Sequence, residues 1–105
     1  MKNNELAVIQ PTVNSPEQEE FALLARALGH PHRIAILRFL LRQDACFCGE
    51  IVDVLPVAQS TVSQHVKKLK QAGWIEGEID GPRVCYCVKF DTLERFRSLL
   101  SKLFA

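Results

Sequence analysis

Residues 55–81 read LPVAQSTVSQHVKKLKQAGWIEGEIDG, and within them the hydrophobic period changes once. From Gln59 to Ala72 the apolar residues Val62, Val66 and Leu69 fall at i, i+4 and i+7, one stripe of an amphipathic helix. Gly73 stops that helix. After it the period is two. Trp74, Glu76, Glu78 and Asp80 alternate with Ile75, Gly77 and Ile79; Val84, Tyr86 and Val88 alternate with Cys85, Cys87 and Lys89. Asp80, Gly81 and Pro82 supply the turn between them, so the segment predicts a β-hairpin.

Upstream, Gly49 to Leu55 reads as a short helix carrying Ile51, Val52 and Leu55, ended by Pro56. Val57 and Ala58 form a tight turn into the helix that starts at Gln59. Before these, Pro31 opens a helix with Ile34, Leu37, Leu40 and Leu41 inside and Arg33, Arg38 and Arg42 outside. Ser15, Pro16 and Glu17 give a helix start: a capping hydroxyl, a proline at the first position, an acid in the first turn. That helix, Glu17 to Leu28, buries Phe21, Leu24, Ala25 and Leu28 and ends at Gly29. Downstream, Asp91 caps a last helix with Leu93, Phe96, Leu99, Leu100, Leu103 and Phe104 apolar. That face is wide for the end of a small domain, so part of it is expected to pack on a second chain. Residues 1–15 read as a flexible arm and 16–105 as the domain. The order is helix, helix, short extended piece, helix, helix, hairpin, helix. It is mostly α with a small β-hairpin, a winged helix-turn-helix.

The chain of 105 residues is one domain, and Lys plus Arg at 13 against Asp plus Glu at 12 leave a net charge of +1. That excludes a strongly basic histone-like binder but leaves room for one basic face. A hydrophobic share of 48% excludes a largely disordered chain. There is no run of apolar residues as long as a membrane span and no signal-peptide core at the N-terminus, so no membrane partner and a cytoplasmic location are expected. Neither a nucleophile–base constellation nor a phosphate-cradling glycine loop is visible, so no enzyme and no small organic substrate are expected.

The outer face of the Gln59 to Ala72 helix is expected to carry Gln59, Ser60, Thr61, Ser63, Gln64, His65, Lys67 and Lys68, with no acid from Gln59 to Ile75. Hydroxyls and backbone N–H groups at a helix N-terminus hold phosphate, Gln reads an adenine edge, and Lys neutralises phosphates. Arg83 at the hairpin tip is placed to reach a phosphate or the minor groove. By itself such a face is only a solvated surface; the preceding turn and the following hairpin turn the reading toward double-stranded DNA.

The chain's four cysteines form two C-x-C pairs, Cys46/Cys48 and Cys85/Cys87. Residues i and i+2 share a face on a strand but not on a helix. Cys85 and Cys87 therefore point the same way on the second hairpin strand. An extended piece at Cys46 to Cys48, with Phe47 inward, would do the same. Pairing of the two pieces, expected by analogy with winged-helix folds, would gather all four thiols. Such a cluster suits zinc held tetrahedrally by four thiolates, a thiophilic ion such as As(III) on three thiolates, or oxidation to disulfides. The plainer alternative is four small buried side chains.

At residues 55–81, and at ALGHPHRIAILRFLL over 27–41, the sequence resembles ArsR/SmtB-type repressors, and the likeness extends over about residues 17–104. It implies a homodimer paired through the first and last helices, a palindromic operator, and release by an inducer. It also implies DNA contacts from Gln59, Ser60, Thr61, Ser63, Gln64 and His65, with Lys67, Lys68 and Arg83 on phosphates. Ala58 departs from a serine often found there as the cap. Arsenic-sensing members carry a C-x-C where Cys46 and Cys48 stand, often with a third cysteine where this chain has Ile51; Cys85 and Cys87 could supply the missing thiol. Zinc-sensing members use histidines and carboxylates on the last helix, but residues 91–105 hold only Asp91 and Glu94 as acids and no histidine. His30 and His32, flanking Pro31, are read as capping or surface residues.

The expected function is thus a repressor released when arsenite, or zinc or another soft metal, binds Cys46, Cys48, Cys85 and Cys87. A redox sensor of the same fold, a repressor with a structural zinc, and a winged helix that binds a protein partner instead of DNA are the rivals.

Overall fold

The computed structural model describes residues 14–43, 46–49, 51, 55–80 and 83–105. The elements are α1 (Pro16–Ala27), α2 (Pro31–Leu41), β1 (Cys46–Cys48), α3 (Gln59–Ala72), β2 (Ile75–Asp80), β3 (Arg83–Val88) and α4 (Phe90–Leu103). Residues 1–13 of the expected arm, residues 50 and 52–54 of the expected short helix, and the turn residues Gly81 and Pro82 lie outside the described residues.

Local chemistry sets the helix ends. The Ser15 hydroxyl accepts the Gln18 N–H at 3.0 Å, Pro16 opens α1, and Glu17 and Glu19 stand in its first turn. Helix α2 is capped by an imidazole: Nδ1 of His30 accepts the His32 N–H at 3.0 Å. Ala58 precedes α3 without a side-chain cap, and Gly73 ends that helix at φ +94°, in the left-handed region. Asp91 is not the cap of α4. The helix begins two residues earlier than that cap implies, at Phe90, with Lys89 at the cap position and Asp91 in the first turn.

The strands form one antiparallel sheet in the order β1-β3-β2. The core joins all the helices to this sheet, with Ile36, Leu40, Leu69, Trp74, Ile75 and Leu99 fully buried. Helix α2 differs from expectation. Ile36, Leu37 and Leu40 form its inner face, whereas Ile34 is 44% and Leu41 is 40% exposed. The run Ile34 to Leu41 is apolar at every position but Arg38, so its period is faint; at about 100° per residue, Ile34 faces away from Ile36.

Three hydrogen bonds fix the root of the hairpin. The Trp74 indole N–H donates to the Leu24 carbonyl at 3.0 Å, inside the core. The Lys89 N–H donates to the Trp74 carbonyl at 3.0 Å, and the Thr92 hydroxyl donates to the Gly73 carbonyl at 2.7 Å. Helix α4 lies on α1, with Phe21 stacked on Phe96 at 4.8 Å and the ion pairs Arg95–Glu20 and Lys102–Glu17 along the seam. The Arg95 guanidinium holds the Glu20 carboxyl below its ordinary pKa. Among the described residues, no helix is long and apolar enough to cross a membrane.

Candidate functional site

Helix α3 presents two unlike faces. Val62, Val66 and Leu69 are buried, as their spacing predicts. Gln59, Ser60, Ser63, Gln64, Lys67 and Lys68 are exposed, and Thr61 is half-buried. No acidic residue interrupts this surface. The Ala58 carbonyl accepts the N–H groups of Thr61 and Val62 at 3.0 Å, while the first turn carries no side-chain cap. The surface therefore combines a helix N-terminus, short polar side chains able to meet base edges and phosphates, and two lysines one turn further on. Arg83 opens β3, and its side chain lies outside the described residues.

His65 does not belong to that surface. It is 7% exposed and turned into the protein, which removes it from the expected DNA contacts. The sequence carried the signal, because position 65 is i+3 from Val62 and i−4 from Leu69, on the inner stripe. Beneath α3, His65 meets His30 and His32 at ring-centroid distances of 4.4 and 5.5 Å. Its Nδ1 lies 3.2 Å from Nη1 of Arg33, which donates. The same guanidinium donates from Nε to the Ala27 carbonyl at 2.6 Å. Arg33, expected on the outside, thus ties the end of α1 and the start of α2 to α3. Burial pushes the His65 imidazole pKa down, and the charges of His30, Arg33, His32 and Lys68 push it the same way. His30 is shifted down chiefly by burial, then by His32 and Arg33.

The four cysteines stand together, as the pairing of β1 with β3 required. Cys46 faces Cys87 and Cys48 faces Cys85, with Cα atoms 4.0 Å apart in each pair. Each facing pair is joined as a disulfide. Cys85 and Cys87 are buried, whereas Cys46 and Cys48 on the sheet edge are exposed. Phe47 points the other way and packs edge-on against Phe39 of α2 at 4.9 Å, as its inward reading anticipated. In this paired state the sulfurs have no thiolate to offer an ion; once reduced, they form a thiol set on one sheet face.

A helix-turn-helix domain family matches residues 28–78. Over 80 residues the chain is 44% identical to the HTH-type transcriptional repressor SmtB of Mycobacterium tuberculosis, covering 72% of this chain and 58% of that protein. A Streptomyces lividans protein assigned as a mercury resistance operon repressor is 31% identical over 90 residues, covering 84% of this chain and 71% of that one. In fold, the chain is similar to an ArsR-like transcriptional regulator from Rhodococcus sp. RHA1, with TM-score 0.74, 23% identity, and coverage of 85% and 83%. Sequence, fold and the polar face of α3 agree: the chain belongs to the ArsR/SmtB-type winged helix-turn-helix transcriptional regulators, a family of DNA-binding proteins and not of enzymes.

Proposed function

We propose that this regulator is a dimeric, cytoplasmic repressor of a palindromic operator, and that the state of Cys46, Cys48, Cys85 and Cys87 decides whether it stays on DNA. Gln59, Ser60, Thr61, Ser63 and Gln64 read and position the duplex, while Lys67, Lys68 and Arg83 neutralise phosphates. The observation that carries the switch is the register that sets Cys46 against Cys87 and Cys48 against Cys85. Strand β1 lies on the chain leading into α3, and β3 is half of the wing, so bonds between them constrain both reading elements.

The chemistry is thiol oxidation. Four thiols lose four electrons and four protons to form two disulfides, and two equivalents of a peroxide or small disulfide accept them. The exposed cysteines of β1 meet the oxidant; the buried cysteines of β3 resolve the intermediate. The reduced dimer holds the operator and the oxidised dimer leaves it, with a coupling of about 1–3 kcal/mol. A second reading has its own support. Reduced, the same thiols are soft ligands that favour a thiophilic ion such as arsenite, or zinc on all four, and one relative is assigned to mercury resistance.

Fluorescence anisotropy on the chain's own upstream DNA separates the two. Oxidation that releases DNA, reversed by dithiothreitol and abolished in Cys46→Ser plus Cys48→Ser, supports the thiol switch. Reduced protein released by one equivalent of arsenite, with oxidised protein still bound, overturns it in favour of the ion. No salt-dependent DNA binding in either state would overturn both.

A further inference from the structure

We infer that His30, His32 and His65 form a second, cysteine-free site for a divalent transition-metal ion of the zinc, cobalt and nickel class. These are all three of the chain's histidines. His32 and His65 are 33 positions apart in the chain, yet each of the three histidines offers a ring nitrogen and these nitrogens lie within 4.8 Å of one another. The rings of His30 and His32 are 4.8 Å apart by centroid.

The unspent hydrogen-bonding capacity of the rings points to a ligand. Nε2 of His65 and Nδ1 of His32 are buried and have no hydrogen-bond partner. An unpaired buried polar atom is costly, so such atoms call for an explanation. His30 spends Nδ1 on the α2 cap and keeps Nε2. His65 spends Nδ1 on Arg33 and keeps Nε2. Each ring therefore keeps one nitrogen outside these bonds, the three rings bring ligand atoms within 4.8 Å of one another, and His65 itself is more than nine-tenths buried.

The donor set selects the ion. Three imidazoles without thiolate or carboxylate suit zinc, cobalt or nickel and do not suit magnesium or calcium. Three histidines plus one open position is an established zinc geometry. A tetrahedral ion with metal–nitrogen bonds of about 2.1 Å sets its ligand nitrogens about 3.4 Å apart, so rotations of the rings by about 1 Å close the site.

Occupancy has a structural consequence. A metal on Nε2 of His65 places the ring proton on Nδ1, which then cannot accept from Arg33. The 3.2 Å contact opens, and the ion replaces Arg33 as the link between α2 and α3. The same proton shift at His30, whose Nδ1 accepts the His32 N–H, gives up the side-chain cap of α2. This site lies on the helix-turn-helix side of the molecule and makes no use of the sheet cysteines.

The disulfide-bonded protein provides the test, since its sulfurs cannot ligate. With zero free thiols verified by a thiol reagent, it is titrated with Co²⁺ followed by visible absorption. The ring signals of the three histidines are followed by NMR during a Zn²⁺ titration. The expected result is one ion per chain, cobalt bands of a nitrogen-ligated site, and shifts in all three rings. His32→Gln and His65→Gln each weaken binding by about 100-fold or more. His32 is half-buried at the start of α2, so that variant keeps the fold and decides the question even if His65→Gln does not. Absence of binding at millimolar Co²⁺, or affinity unchanged in His32→Gln, overturns the site.

Discussion

Gly73 is the residue on which the passage from reading helix to wing depends. It ends α3 at φ +94°, and a Cβ built there meets nothing within 4 Å. Two costs that usually travel together are therefore separated: the backbone conformation disfavours a side chain, while the surroundings leave room for one. Gly73→Ala is expected to destabilise the fold by about 1–2 kcal/mol, the cost of the left-handed conformation alone. Urea unfolding of the oxidised protein measures it. A loss well above that range would mean that the turn shifts and drags Trp74 from its bond with the Leu24 carbonyl. Residue chemistry also marks the limit of sequence reading. Ser15 and Gly73 were legible as start and stop signals, because a cap acts through neighbours in the chain. The meeting of His30 and His32 with His65 was not, because no local pattern joins positions that far apart.

At the scale of elements, the proposed reading divides the labour of α3 between residues that choose a sequence and residues that hold any duplex. Gln64 is exposed on the outer face, and an amide there pairs with two atoms of an adenine edge; Gln64→Ala is expected to cost about 1–3 kcal/mol of discrimination at one base pair. Lys67 is exposed one residue past the buried Val66, and in the proposed complex its ammonium meets phosphate without reading sequence. Lys67→Ala is expected to weaken binding to all duplexes alike and to lower the slope of log affinity against log salt by about 0.9. Anisotropy titrations at several salt concentrations, on operator and mutated operator, separate the two. A Lys67 variant with an unchanged slope would remove that side chain from the phosphates. Legibility follows the same physics. Helix α3 and the hairpin were readable from one pattern each, since one face of each is buried and the other is wet. Helix α2 was misread at Ile34 and Leu41 because nearly every position is apolar, so burial there is decided by which neighbours arrive. The β1–β3 pairing could be expected only by analogy of fold, since three residues carry little register information.

The whole molecule poses a question of number. One α3 spans one half-site, and a palindromic operator needs two such helices about 34 Å apart on one face of the duplex. The proposed operator therefore calls for a junction between two chains, and the surface offers a candidate. Leu100 of α4 is 47% exposed and Phe104, which ends that helix with its N–H on the Leu100 carbonyl, is 70% exposed. Phe104 also touches Phe21 of α1, at 5.6 Å between ring centroids, so this apolar side continues across both helices. A contiguous exposed apolar patch is a mark of a contact surface. The pairs Arg95–Glu20 and Lys102–Glu17 already hold α1 and α4 to one another, so both helices would meet a partner as one rigid surface. Leu100→Glu places a carboxylate on that surface at a position already half in water, which spares the fold of a single chain. It is expected to yield a folded monomer by sedimentation, with helix content unchanged by circular dichroism. Operator affinity should then fall by about 10²–10⁴, the avidity lost when the second half-site is no longer held at a fixed distance. A variant that stays dimeric and binds with unchanged affinity would locate the junction elsewhere. One that is monomeric yet still holds the operator as tightly would show that a single chain is the reading unit.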